Sequence, residues 1–156
     1  MSDRDEQNLN NYDLLTILGF KNIKDEDKAR IDSHLGALVW EKFLTEKLEK
    51  ELGNTGIKEV NEMVARGQTS EKIMNFIAGR IPKLKDILDS ILIEAKKELM
   101  KDYYQKMLEE ADRALFSTSV SDGERENIRE RKNKYLKVKE LFDNEEWQNL
   151  HELMSK

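Results

Sequence analysis

A single proline, Pro82, and seven glycines are the only strong helix breakers among 156 residues. Proline inside a helix removes a backbone donor and clashes with the preceding turn, so a chain with only one can be helical almost anywhere. The rest of the chain is rich in Leu, Lys and Glu, which lose little rotamer freedom in a helix. Apolar and charged residues each make up 38% of it, enough to bury a core while lacing every surface with charge. These features predict an all-α protein: a compact helical bundle with one long helix and a C-terminal helical hairpin.

Periodicity divides the chain into a flexible leader over 1–11, a helical bundle domain over 12–114 and the hairpin over 115–156. The leader is polar apart from Leu9 and Met1. Leu14, Leu15, Ile17 and Leu18 form a short apolar helix that Gly19 stops, as a left-handed terminal residue does, and Phe20 and Ile23 dock the connector. Asp25 can cap the next helix, with Glu26 and Asp27 at its positive end. That helix is expected to run to about Leu52. Its apolar residues wind from Ile31, Leu35, Leu38 and Val39 round to Trp40, Leu44, Leu48 and Leu52, which predicts a central position, with Gly36 and Ala37 admitting a close neighbour.

Gly53-Asn54-Thr55-Gly56 reads as a turn, and Ile57, Val60, Met63 and Val64 as a short amphipathic helix. Thr69 or Ser70 caps a segment carrying Ile73, Met74, Phe76 and Ile77, which turns sharply at Ile81-Pro82. From Lys83 to about Ala114 the stripe Leu84, Leu88, Ile91, Ala95, Leu99, Tyr103, Met107, Ala111 marks a helix approaching roughly 45 Å at 1.5 Å per residue. A helix that long needs company beyond a small core. Ser121 and Glu124 then suit a capping box, Ile128, Tyr135, Val138 and Phe142 form a sparse seam, and residues 143–146 break into a last helix carrying Trp147, Leu150, Leu153 and Met154. The hairpin is expected to fold back on the long helix or to meet another chain.

Residues from Asp13 to about Tyr104 resemble an uncharacterised bacterial family of small all-helical domains of unknown function. The likeness rests on Leu14-Leu15 with Leu18-Gly19-Phe20, on Asp25-Glu26-Asp27, on the long following helix, and on Ile81-Pro82-Lys83-Leu84. It implies a helical domain and carries no catalytic residue with it.

Chemistry is sparse. Without cysteine there is no disulfide framework, thiolate nucleophile or thiolate metal site. His34 lies beside an apolar face and is expected to flank the core, whereas His151 suits a surface position. Neither has a glutamate three residues before it, as a di-metal carboxylate bundle requires. No EF-hand loop or P-loop can be written, and Arg66-Gly67-Gln68-Thr69-Ser70 is better read as a capped turn. No enzyme activity, cofactor, metal or small-molecule substrate is therefore expected.

The net charge of -5 favours no polyanionic partner globally. Locally, Arg125, Arg129, Arg131, Lys132, Lys134, Lys137 and Lys139 outnumber Glu126 and Glu130. A solvated helix face explains the bias, and an RNA- or ribosome-associated factor contacting phosphates through Arg125, Arg129, Arg131, Lys132 and Lys134 is the alternative. Tyr135, Phe142 and Trp147 are the candidates for protein contact, since sparse apolar seams and tryptophan mark docking surfaces. No apolar stretch spans a bilayer and no signal peptide is evident, so the cytoplasm is the expected location. The reading is a non-enzymatic adaptor, scaffold or accessory subunit that binds a protein partner or itself.

Overall fold

The computed structural model describes residues 8–117 and 119–156. Among them there is no strand. A 3-10 turn at Leu9–Asn11 precedes α1 (Leu14–Ile17), α2 (Asp25–Lys42), a π-helical segment (Phe43–Lys47), α3 (Leu48–Ala65), α4 (Ser70–Arg80), α5 (Leu84–Phe116), α6 (Asp122–Asp143) and α7 (Trp147–Ser155). The all-α expectation holds.

The chain forms two compact units, one over Ala29–Ala95 and one combining the segment up to Lys28 with Lys96–Lys156. This grouping differs from the 12–114 and 115–156 division, because the N-terminal helix packs with the tail. The leader predicted over 1–11 lies outside the described residues as far as Gln7. Leu9 is buried, which gives the end of that segment an anchor.

In the unit over 29–95, Phe43, Leu48, Val60, Ile77, Ile81, Leu84 and Ile91 form the core, with Val39, Trp40, Leu52, Ile57, Ile73, Phe76, Ile87 and Leu88 half-buried against it. Trp40 meets Phe43 edge-on at 5.6 Å between ring centroids. α2 is not the central helix its apolar winding suggested. Leu35 is its one buried residue, and a methyl group added at Gly36 would meet nothing within 4 Å. Polar residues occupy too much of its circumference for burial on more than one side.

The helical run that starts at Asp25 ends at Leu52, as read from the sequence, but the break that follows is confined to Gly53 rather than spread over four residues. Thr45 Oγ1 donates to the Glu41 carbonyl at 2.8 Å within the widened π segment, a back-bond that competes with the helical ladder. Gly53, at φ 70° and ψ 177°, is non-helical and separates the opening turn of α3 from a second helix that runs to Ala65. Thr69 caps α4, accepting from the Lys72 amide at 3.3 Å, and Ile81 leaves the helical region before Pro82 at φ -121° and ψ 92°.

In the other unit, α1 is capped by Asp13, whose carboxylate accepts from the Thr16 amide at 3.2 Å and the Thr16 hydroxyl at 3.0 Å. It closes in a Schellman motif: Gly19 donates to Thr16 O and Phe20 to Leu15 O, both at 2.9 Å, with Gly19 at φ +86°. Along α5 the buried line in this unit is Lys96, Met100, Tyr104, Leu108 and Ala111. The predicted stripe through Leu99, Tyr103 and Met107 is half-buried, one residue off. A four-residue step over-rotates a 3.6-residue helix by about 40°, so a stripe of such steps drifts round the axis.

α6 starts at Ser121, whose hydroxyl accepts from the Glu124 amide at 3.3 Å. It ends in a second Schellman closure, with Glu145 as the left-handed residue at φ 56°. The hairpin of α6 and α7 folds back on its own chain: Tyr104 of α5 lies 6.3 Å from Tyr135 and 6.1 Å from Phe142, ring to ring.

Candidate interaction surfaces

The basic helix was the sequence's most polar candidate, and its residues diverge. Arg125 turns onto the carboxyl end of α5, donating to Leu115 O at 2.6 Å and Ser117 O at 2.8 Å. Lys132 pairs with Asp112 of α5 at 2.6 Å. Each lies three residues before a seam position, Arg125 before Ile128 and Lys132 before Tyr135, and so faces the helix that α6 packs against. Arg129 is exposed and meets Glu126 at 3.8 Å, while Arg131 and Lys134 are exposed. Five candidate phosphate contacts thus do not form one face.

The candidates for protein contact prove to be interior residues. Trp147 is buried, Tyr135 is buried and Phe142 is half-buried. Phe142 stacks edge-on against Trp147 at 5.6 Å, and the Lys97 ammonium stands 5.7 Å from the Trp147 ring centre while pairing with Glu145 at 2.6 Å. The sparse seam is satisfied by Tyr104 of α5 and by α7, whose Trp147 meets Phe142. His34 is exposed rather than flanking the core, and His151 is half-buried with its ring 5.2 Å from that of Tyr12.

Periodicity did not reveal the one buried charge among the described residues, Lys96, which is 7% exposed. Its ammonium donates to the Tyr12 carbonyl at 3.2 Å. Burial lowers its pKa, and the Asp13 carboxylate opposes that shift. Two turns along α5, the Tyr104 hydroxyl donates to the Ile17 carbonyl at 2.6 Å. Burial raises the Tyr104 pKa, and burial together with Tyr103 pushes Tyr135 up to about 12. A sequence signal did exist, since Lys96 sits between Ala95 and Met100 on a helix face that must turn inward.

Apolar side chains are exposed elsewhere than predicted: Leu44 at 49%, Val64 at 60% and Phe116 at 85%. In the 29–95 unit a shallow recess of about 240 Å³ has Ile87, Ser90 and Ile91 in its lining, with Lys47, Glu51, Lys83, Asp86 and Glu94 around them. None of these five charged groups forms an ion pair with a described residue. Leu44 precedes Lys47 by three residues in the same helical run. An apolar centre with a charged rim is the anatomy of a protein-docking surface.

Among the described residues no group of His, Asp and Glu is arranged to hold a metal ion, and no helix is long and apolar enough to cross a membrane. Compared with protein families, with curated proteins and with solved structures, the chain matches none.

Proposed function

We propose that this chain is a non-enzymatic cytoplasmic interaction protein, an adaptor, scaffold or accessory subunit, and that it docks a protein partner on the 29–95 unit. One observation carries the reading: the recess lined by Ile87 and Ile91, ringed by five charged side chains that form no ion pair among the described residues and adjoined in sequence by exposed Leu44. The extent of half-buried apolar surface on so small a core supports it, because small units gain from further burial on association. The resemblance of residues 13–104 to a bacterial helical family of unknown function is compatible with the same role.

The test is capture from native lysate with the full chain, with and without nuclease, against two surface variants. A protein retained after nuclease, and lost with Leu44→Glu plus Lys83→Glu, is the expected result. Capture that is lost on nuclease treatment or with Arg131→Glu plus Lys134→Glu, and is indifferent to Leu44 and Lys83, overturns it in favour of the RNA-associated alternative.

A further inference from the structure

The segment from Leu9 to Leu18 is held as a bound peptide would be. Leu9, Leu14, Leu15, Ile17 and Leu18 are all buried. Two side chains of α5 read its main chain directly, Lys96 at the Tyr12 carbonyl and Tyr104 at the Ile17 carbonyl. α7 supplies further contacts, with the His151 ring beside Tyr12 and Met154 against Gly19. Every one of these partners lies more than seventy-five residues later in the chain. The contacts therefore do not depend on which copy of the chain supplies the segment.

The connection to α2 favours exchange. Gly19 to Lys24 is short and has no buried residue. It holds one non-glycine residue in the left-handed region, Asn22 at φ 56°, whereas Gly19 at φ 86° adopts that region without strain. Short hinges under strain invite swapping, because extending them releases the strained turn while the exchanged element regains all its contacts. Opening also returns the Lys96 ammonium to water, which offsets part of the loss of apolar burial.

We propose that the groove between α5 and α7 is an exchangeable docking surface whose occupant in trans is the 9–18 segment of a second copy of this chain, with Gly19–Lys24 as the hinge. The product is a reciprocal dimer, and its formation is independent of the partner surface on the 29–95 unit.

The chain has no cysteine, so two full-length single variants, Tyr12→Cys and His151→Cys, can be mixed, refolded together and treated with a short bismaleimide. A dimer linked from 12 to 151 is expected, its share rising with protein concentration during refolding. The double variant tests that the two positions are in reach within one folded chain. Asn22→Gly, which removes the side chain from a left-handed residue on an exposed hinge, is expected to lower the dimer share roughly threefold or more. The proposal is overturned if the mixture gives no link between chains while the double variant links within one. It is equally overturned if Tyr12→Cys links to Lys134→Cys on the exposed side of α6 as readily as to His151→Cys, or if Asn22→Gly leaves the share unchanged.

Discussion

Gly19 meets two separate demands, a backbone at φ +86° and a Cβ position 2.7 Å from Met154 Cε. Gly67 meets only the first, at φ +70° with open space around it. Left-handed backbone costs a side chain about 1 kcal/mol, so Gly67→Ala is expected to lower unfolding free energy by about that much. Gly19→Ala should cost about 2 kcal/mol, because the thioether must also move. Chemical denaturation of the two variants measures the difference, and equal losses would show that Met154 yields freely. Lys96 makes a prediction about pH. Its pKa is lowered in the fold, so the unfolded chain binds the proton more tightly, and the penalty for burying the charge fades as pH rises toward 10.5. Tyr104 and Tyr135, with raised pKa values, act in the opposite sense and remove stability as pH climbs past 10. The difference between the wild type and Lys96→Met isolates the lysine. The wild type should gain on the variant between neutral pH and 10.5, as followed by denaturant midpoints across that range.

At the scale of elements, helix ends decide more than helix middles. Arg125, four residues beyond the cap of α6, closes the carboxyl end of α5 by bonding Leu115 O and Ser117 O, where a cation also meets the negative end of the helix dipole. Arg125→Met should cost about 1.5 to 3 kcal/mol, the range for charged hydrogen bonds. Arg131→Met, on the exposed side of the same helix, should stay within about 0.5 kcal/mol. Thermal melts of the two variants separate an arginine that ends a helix from one that faces water. The existence of the helices was legible because their apolar spacing and caps, Thr69, Ser121, Gly19 and Pro82, are local signals. The role of Arg125 was not, since its partners belong to another element and a charge run looks the same whether it faces solvent or a neighbouring helix end. The π segment was equally hidden, because Thr45 at a helical position gives no sign of a back-bond to Glu41.

At the scale of the whole molecule, sequence order and packing order part company. The long helix was visible, but the residue at which its burial passes from one unit to the other, between Ala95 and Lys96, carries no break in composition or periodicity. The N-terminal helix pairs with the tail because five apolar residues on a short segment cannot bury themselves, and their partners can be found only in three dimensions. Tyr135, Phe142 and Trp147 illustrate the same point. A seam too sparse to fill a core alone becomes interior when Tyr104 of α5 and Trp147 of α7 pack on it. Each unit therefore has its own apolar centre, Ile77 within 29–95 and Leu150 in the other, both nearly inaccessible to solvent. Truncating either to alanine removes buried methyl groups and leaves a cavity, at a cost of about 2 to 5 kcal/mol. If each centre stabilises its own unit, Ile77→Ala should speed amide exchange chiefly across residues 29–95. Leu150→Ala should speed it in α1, α6 and α7 and in the second half of α5. Exchange followed by mass spectrometry resolves the two patterns, and uniform acceleration in both variants would mean that the chain opens as one cooperative body.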